Sequence, residues 1–277
     1  MCDTAKIEIV IPPEVYELAV QSVGRFFEPI CKTPAEVIVR DFLDLSKAAK
    51  RADVLKRYAP LENRKLLEIG SGFGTNLAVW IKNYNIDGYG VEPASPGVDQ
   101  GFVASRKLFS ANGIDAGRIC NAKGESPPFP DGTFDIAYSA NILEHTEYRD
   151  RVLNEAARVL RCGGILHMEM PNYLPYFEGH YMVAQPPIFW KLILVWWLRL
   201  VCRRDSSFAK TIQTQINPLW CRRAIKKVGR IYPLKLIPLG QDVFLERLSH
   251  AFTFETDVVG ARLGSLIGRL QRFDRQN

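Results

Sequence analysis

Lys65-Leu66-Leu67-Glu68-Ile69-Gly70-Ser71-Gly72-Phe73-Gly74-Thr75-Asn76 opens a stretch that runs on to Gly90-Val91-Glu92 and decides the fold. Its first five residues are mostly apolar and predict a strand. Gly70, Gly72 and Gly74 then permit a tight turn in which a ligand lies against bare backbone. Leu77, Ile81 and Tyr84 share one helical face, and Gly88–Glu92 predicts a second strand ending in an acid. Strand, glycine turn, helix and strand make the front of a βαβ nucleotide-binding unit.

The ligand is narrowed by what the turn lacks. A Walker loop ends in Gly-Lys-Ser/Thr, and none is present. A dinucleotide turn of the form G-x-G-x-x-G would need glycine where Thr75 stands. The pattern is Glu-x-Gly-x-Gly-x-Gly instead. Glu68 at the end of the first strand would repel a pyrophosphate, and it suits a ligand with an ammonium and a sulfonium but no phosphate. Glu92, at the tip of the second strand, is placed to accept both hydroxyls of a ribose.

Further strands are predicted at Arg118–Ala122, Phe134–Ser139 and Ile165–Met170. Val152, Leu153, Ala156, Val159 and Leu160 line a helix that Gly163-Gly164 is expected to end. Strand–helix alternation implies an α/β fold. The expected architecture is a Rossmann-like, doubly wound, mostly parallel sheet with helices on both faces, an N-terminal helical layer and C-terminal helical additions. The domain divisions read as an N-terminal helical cap over 1–60, a core over 61–175, an amphipathic and basic insertion over 176–230, and the end of the sheet with C-terminal helices over 231–277.

Residues 66–172 resemble the class I S-adenosylmethionine-dependent methyltransferases, most nearly the group with ubiquinone-type, sugar and small-molecule enzymes. Three segments beyond the glycine turn carry the resemblance, in the family's order. Pro128-Phe129-Pro130-Asp131-Gly132-Thr133-Phe134-Asp135 leads into strand four. Asn141-Ile142-Leu143-Glu144-His145 follows that strand. Glu155-Ala156-Ala157-Arg158-Val159-Leu160-Arg161-Cys162-Gly163-Gly164 precedes strand five. The resemblance implies S-adenosyl-L-methionine as cofactor and S-adenosyl-L-homocysteine as product. It implies cofactor contacts from Glu68, Gly70, Ser71, Gly72, Gly74, Glu92, Pro93, Gly124, Glu125 and Asn141. One position departs from the pattern: Lys123 stands where many relatives carry an aspartate for the adenine amino group. Lysine cannot accept that hydrogen bond, so either Glu125 substitutes or backbone carbonyls read the adenine.

Methyl transfer from a sulfonium is an in-line displacement that depends on positioning. An oxygen nucleophile usually also needs a base, and histidine titrates near neutrality. His145, after strand four, and His180 are the candidate catalytic residues; His167, inside strand five, reads as structural. Tyr173, Tyr176, Glu178 and Tyr181 follow strand five, where the class keeps acceptor contacts. A sugar hydroxyl, a lipid-linked intermediate and a small aromatic hydroxyl all fit as acceptor, with O-methylation the expected outcome. Two other classes stay open: a non-catalytic member that binds the cofactor or a partner, and a nucleic-acid methyltransferase. Against the latter, Ser139-Ala140-Asn141-Ile142 stands where base-methylating enzymes often carry Asn/Asp-Pro-Pro-aromatic.

The flanks are less regular. Ile7, Ile9 and Ile11 suggest a short strand before Pro12-Pro13, and Glu14–Phe27 has helical spacing. Thr33-Pro34-Ala35-Glu36 reads as a capping box, with Val37, Ile38, Phe42, Leu45 and Ala49 on one face beyond it. This layer is expected to cover the sheet edge, to roof the acceptor pocket, or both. Residues 188–204 carry three tryptophans, with Lys191, Val195, Arg199 and Arg203 stepping along one stripe. The run is too short and too charged to span a bilayer, which needs ~20 apolar residues. It fits burial in the fold or in a homodimer, a membrane interface, or a lid. Asn217-Pro218 starts another helix. Residues 231–237 read as a sixth strand, 244–248 and 258–273 as helices, and 251–256 as the candidate seventh strand.

The net charge is +6. Nine basic residues and one acid, Asp205, fall between Arg199 and Arg230, so that segment carries more than the whole excess. Such a patch suits anionic lipid, a phosphate-bearing substrate or nucleic acid. The six cysteines are scattered, without C-x-x-C or histidines at zinc-ligand spacing. They read as reduced thiols, and no metal site is expected. No apolar run follows the first residues as a signal peptide would require. The expected location is the cytoplasm, with peripheral contact at the inner membrane face through 188–204.

Overall fold

Among the described residues five strands make one parallel sheet: β1 (Lys65–Ile69), β2 (Asp87–Val91), β3 (Ile119–Cys120), β4 (Phe134–Ala140) and β5 (Leu160–Glu169), in the order β3-β2-β1-β4-β5. The computed structural model describes residues 7–94, 100–171 and 190–232, together with 173, 177–178, 180–181 and 183–184. Adjacent residues of β1 such as Leu66 and Leu67 point to opposite faces, yet both are fully buried. Both faces are therefore covered, as a parallel sheet requires. The strand order reverses at β1, next to β4, which puts the ligand crevice at the carboxyl ends of these two strands.

On one face, Leu66, Ile136 and Tyr138 share a core with α4 (Leu45–Lys56), α5 (Thr75–Tyr84) and α6 (Gln100–Ala111). α1 (Pro13–Phe26) lies outside this layer, and Glu14 pairs with Lys107 of α6 at 2.6 Å. α7 (Arg149–Arg158) buries Val152, Leu153, Ala156 and Ala157.

Several elements differ from expectation for identifiable reasons. Residues 7–12 are extended but do not pair as a strand, because the Asn112 side chain takes both backbone groups of Val10 at 2.8 Å. Thr33 does not cap. α2 (Glu28–Cys31) ends just before it, α3 spans Ala35–Phe42, and the first amide of α3 donates to Glu28 Oε1 at 2.7 Å. The single helix expected beyond Thr33 is two. Asp44 accepts from the Ser46 amide and restarts the chain as α4, so Ala35, Val39, Leu43, Ala48 and Ala52 are buried while Val37 and Phe42 are exposed.

Gly163-Gly164 does not end a helix. α7 stops at Arg158, and the glycines lie inside β5, where the register against β4 jumps between Phe134↔Leu160 and Ile136↔Ile165. Gly163 adopts φ +77°, and a Cβ on Gly164 would sit 2.9 Å from Arg161 O and 3.0 Å from Asp135 O. The pair lets β5 enter the sheet through an irregular, tight approach.

Beyond β5, β6 (Phe177–Glu178) and β7 (Val183–Ala184) form a small antiparallel pair. α8 (Lys191–Trp196) continues into a π-helical turn over Trp197–Val201, which breaks the expected step-of-four stripe. Leu194 and Leu198 are buried, whereas Trp190, Leu192, Trp196, Leu200 and Val201 are exposed. Asn217 caps α9 (Pro218–Val228) through the amides of Leu219 and Trp220, as its sequence implies. No helix among the described residues is long and apolar enough to cross a membrane. The expected sixth and seventh strands and the last two helices fall on residues that lie largely or wholly outside the described ones.

Candidate active site at the carboxyl edge of the sheet

The glycine turn leaves β1 and enters α5. Gly70, Gly72 and Gly74 all adopt left-handed backbone, with φ of +75°, +53° and +78°. A Cβ on Gly70 would lie 2.3 Å from Ile142 Cγ2, so the loop after β4 locks the turn from one side. At Gly72 a Cβ would meet nothing within 4 Å. The turn thus presents bare backbone to open space at its middle glycine, as a ligand cradle must.

Two acids flank the cradle. Glu92 Oε2 accepts the Gly72 amide at 2.9 Å, and its Oε1 faces Gly101 near the start of α6. Burial pushes its pKa up to about 7, against the Gly72 hydrogen bond, which lowers it. Glu68 is 2% exposed, and burial raises its pKa to about 8 although Asn76 Nδ2 donates to Oε1 at 2.7 Å. Its Oε2, with Ser71 Oγ and Thr75 Oγ1, is buried without a hydrogen-bond partner. Orphaned acceptors and hydroxyls around a glycine cradle fit a polar, cationic ligand. Gly124 packs against Ile69, and a Cβ there would come within 2.7 Å of it. Asn141 holds φ +53°, and its amide donates to Glu169 O at 3.0 Å, which fixes the turn leaving β4. Glu125 Oε1 is taken by the Tyr148 amide at 3.4 Å, whereas Lys123 is exposed. Pro93 follows Glu92 in irregular backbone.

Glu68 belongs to a wider polar network that the sequence does not announce. Arg51 of α4 reaches Asn76 Oδ1 at 3.3 Å and Glu169 Oε2 at 3.5 Å. The Tyr138 hydroxyl donates to Glu169 Oε1 at 2.6 Å, and His167 Nε2 lies 3.4 Å from the same atom. Burial pushes Glu169 up, but the bonds from His167 and Tyr138 and the charge of Arg51 hold it below the usual carboxylate range. His167 also stacks on Tyr138 at 5.1 Å and is buried within the sheet.

The two candidate catalytic histidines lie in a cluster built from distant segments. His145 closes a 3-10 turn over Leu143–His145, directly after β4. His180 meets it edge to face at 5.3 Å between ring centroids. Phe208 lies 5.9 Å from His145 and 5.3 Å from His180, and Phe27 stacks on His180 at 6.5 Å. The N-terminal layer therefore borders this aromatic cluster as well as covering α6. His145 keeps 39% of its side chain accessible at the rim. The protein packed around the rest of the ring, and then the neighbouring His180, lower its pKa to about 4, so it is neutral at pH 7.

The tyrosines expected near the acceptor turn inward. Tyr181 is fully buried and its hydroxyl accepts the Ala209 amide at 3.0 Å; Tyr173 is 3% exposed. Tyr176 and the side chain of Glu178 lie outside what the structure describes. Phe27, Arg51 and Phe208 escape sequence reading because nothing local marks them. Glu144, adjacent to His145, is a buried acid at 1% exposure that the motif contained without a stated role.

A glycine cradle, an acid just after β2 and a left-handed turn after β4 meet at the topological switch of a parallel sheet, the place where such sheets bind ligands. Comparison with known proteins agrees: residues 67–168 match the family described as a methyltransferase domain. An uncharacterised methyltransferase from Mycobacterium sp. (strain JLS) is 33% identical over 119 residues, 43% of this chain and 43% of that protein. Ajmaline N-methyltransferase from Rauvolfia serpentina is 29% identical over 105 residues, 37% of this chain and 34% of its own. Sarcosine/dimethylglycine N-methyltransferase from Halorhodospira halochloris is 32% identical over 101 residues, covering 36% and 34%. Residues 67–168 are thus similar to the methyltransferase domains of the class I, S-adenosylmethionine-dependent kind. The chain spans less than half the length of the curated relatives it matches.

Proposed function

We propose that the chain is an S-adenosylmethionine-dependent methyltransferase that methylates an oxygen of a small-molecule, sugar or lipid-linked acceptor. The observation that carries the cofactor reading is the open backbone at Gly72 beside the partly buried Glu92. In this reading Gly70, Ser71, Gly72 and Gly74 cradle the amino-acid part, Glu68 faces its ammonium, and Glu92 accepts from the ribose hydroxyls. Pro93, Gly124, Glu125 and Asn141 complete the wall. When bound, the cofactor supplies an electrophilic methyl group. The chain's own work is to align the acceptor with it and exclude water, and His145 and His180 handle the acceptor's proton. The aromatic rings of Phe27 and Phe208 around that pair support an acceptor pocket there.

A nitrogen acceptor is the second reading, favoured by the two N-methyltransferases among the similar proteins. A methyl-labelled cofactor assay against hydroxyl and amine acceptor panels separates the two. Transfer to amines alone overturns O-methylation, and transfer to neither class overturns both.

We infer a peripheral membrane contact through the exposed face of Trp190, Leu192, Trp196, Leu200 and Val201. Arg199 and Arg203 are exposed beside it. Tryptophan with arginine suits an anionic interface.

A further inference from the structure

We propose that Glu144, His145 and His180 form a divalent metal site that activates the acceptor hydroxyl. One ligand atom from each of the three side chains lies within 4.8 Å of the others. Glu144 Oε1 and His145 Nε2 are 3.8 Å apart. That is too long for a hydrogen bond, whose heavy atoms sit at roughly 2.7–3.2 Å. It matches two ligands that each sit about 2.0–2.2 Å from a shared ion.

The setting is that of a metal site rather than a surface cluster. Glu144 and His145 belong to one rigid 3-10 turn: the His145 amide donates to Ile142 O at 2.9 Å, and Glu144 O accepts the Gln213 amide at 2.8 Å. Glu144 is 1% exposed, so its carboxylate sits within the protein rather than in bulk solvent. His145 opens to the rim, and His180 is held edge to face against it between Phe27 and Phe208. Two imidazoles and one carboxylate leave coordination positions open, as catalytic zinc and non-haem iron sites do. Phe208 lies within 5.9 Å of both imidazole rings, in the cluster where the acceptor reading places its substrate.

A hydroxyl bound to the ion becomes acidic near neutral pH: its O–H bond breaks, the proton leaves to water, and the oxygen keeps the electron pair. His145 and His180 thus act on the acceptor's proton through the ion they hold, and not as bases themselves. This role in the reaction rests on the methyltransferase reading, whereas metal binding stands on the three side chains alone.

The test uses the full chain, stripped by chelator dialysis and titrated calorimetrically with Zn²⁺ and with Mn²⁺. S-adenosylhomocysteine is titrated separately, and circular dichroism checks the fold. One equivalent of at least one ion is expected. His180→Ala and Glu144→Gln should each weaken it by at least the ~10–100-fold that loss of a mere supporting partner costs. Both variants should bind S-adenosylhomocysteine within about twofold of the parent, because they touch no cofactor contact. Absence of binding by both ions, or variants that bind metal as the parent does, would overturn the site. If one variant fails to fold, the other decides. Metal binding without S-adenosylhomocysteine binding would sink the methyltransferase reading and leave the site standing; the reverse would sink the site alone.

Discussion

Glu92 and Glu68 are two carboxyls of one site with different work. Burial holds Glu92 at about 7 in the free protein, so near neutrality it exchanges between a form that accepts two hydroxyls and one that has lost part of that capacity. Affinity for S-adenosylhomocysteine should therefore fall as pH drops below 7, approaching tenfold per unit once the carboxyl is mostly protonated. Calorimetry from pH 5.5 to 8.5 checks this, and a flat profile would remove Glu92 from the ribose. Glu68 answers through stability. Its folded pKa, about 8, lies above the ordinary 4.5, so the folded chain binds this proton more tightly than the unfolded one. Its contribution is full below pH 4.5 and is lost as pH rises through 8. Glu68→Gln keeps an oxygen for Asn76 and cannot ionise. Between pH 5 and 9 its melting temperature should fall less steeply than the parent's; parallel curves would contradict the assignment.

The glycines separate position from composition. Gly70→Ala places a methyl 2.3 Å from Ile142 Cγ2 on left-handed backbone, and should cost about 1–3 kcal/mol of stability and abolish cofactor binding. Gly163→Ala shares the positive φ but meets nothing within 4 Å, and should cost about 1 kcal/mol and leave binding intact. Denaturant melts and calorimetry of both distinguish a locked turn from a merely strained one. α8 gives a sharper test of its exposed face. Trp190→Ala with Trp196→Ala should lower flotation with anionic liposomes while the fold holds; unchanged flotation would leave that face without a lipid role. The sequence marks β1, α5 and β4 nearly to the residue, because an apolar run between glycine signals has one reading. It misplaces Gly163-Gly164, because a glycine pair serves a helix end and a strand irregularity equally well. Only the register against β4 decides.

Across the molecule, most of the proposed cofactor half comes from one continuous stretch, and that is why it is legible. Residues 68–92 carry both acids and all three cradle glycines. The proposed acceptor half draws on Phe27, His145, His180 and Phe208, more than 180 positions apart at the extremes. No periodicity links such residues, and only the packing of α1 and α2 and of the segment before α9 brings them together. Arg51 escapes for the same reason, although it ties the N-terminal layer to Glu169 and, through Asn76, to Glu68. The central claim is that this chain holds S-adenosylmethionine on the Gly70–Gly74 cradle through Glu92. It is tested most directly by titrating S-adenosylhomocysteine into the parent chain and into Glu92→Ala. The account predicts saturable one-site binding to the parent that is lost in the variant; equal binding by both, or none to the parent, would contradict it.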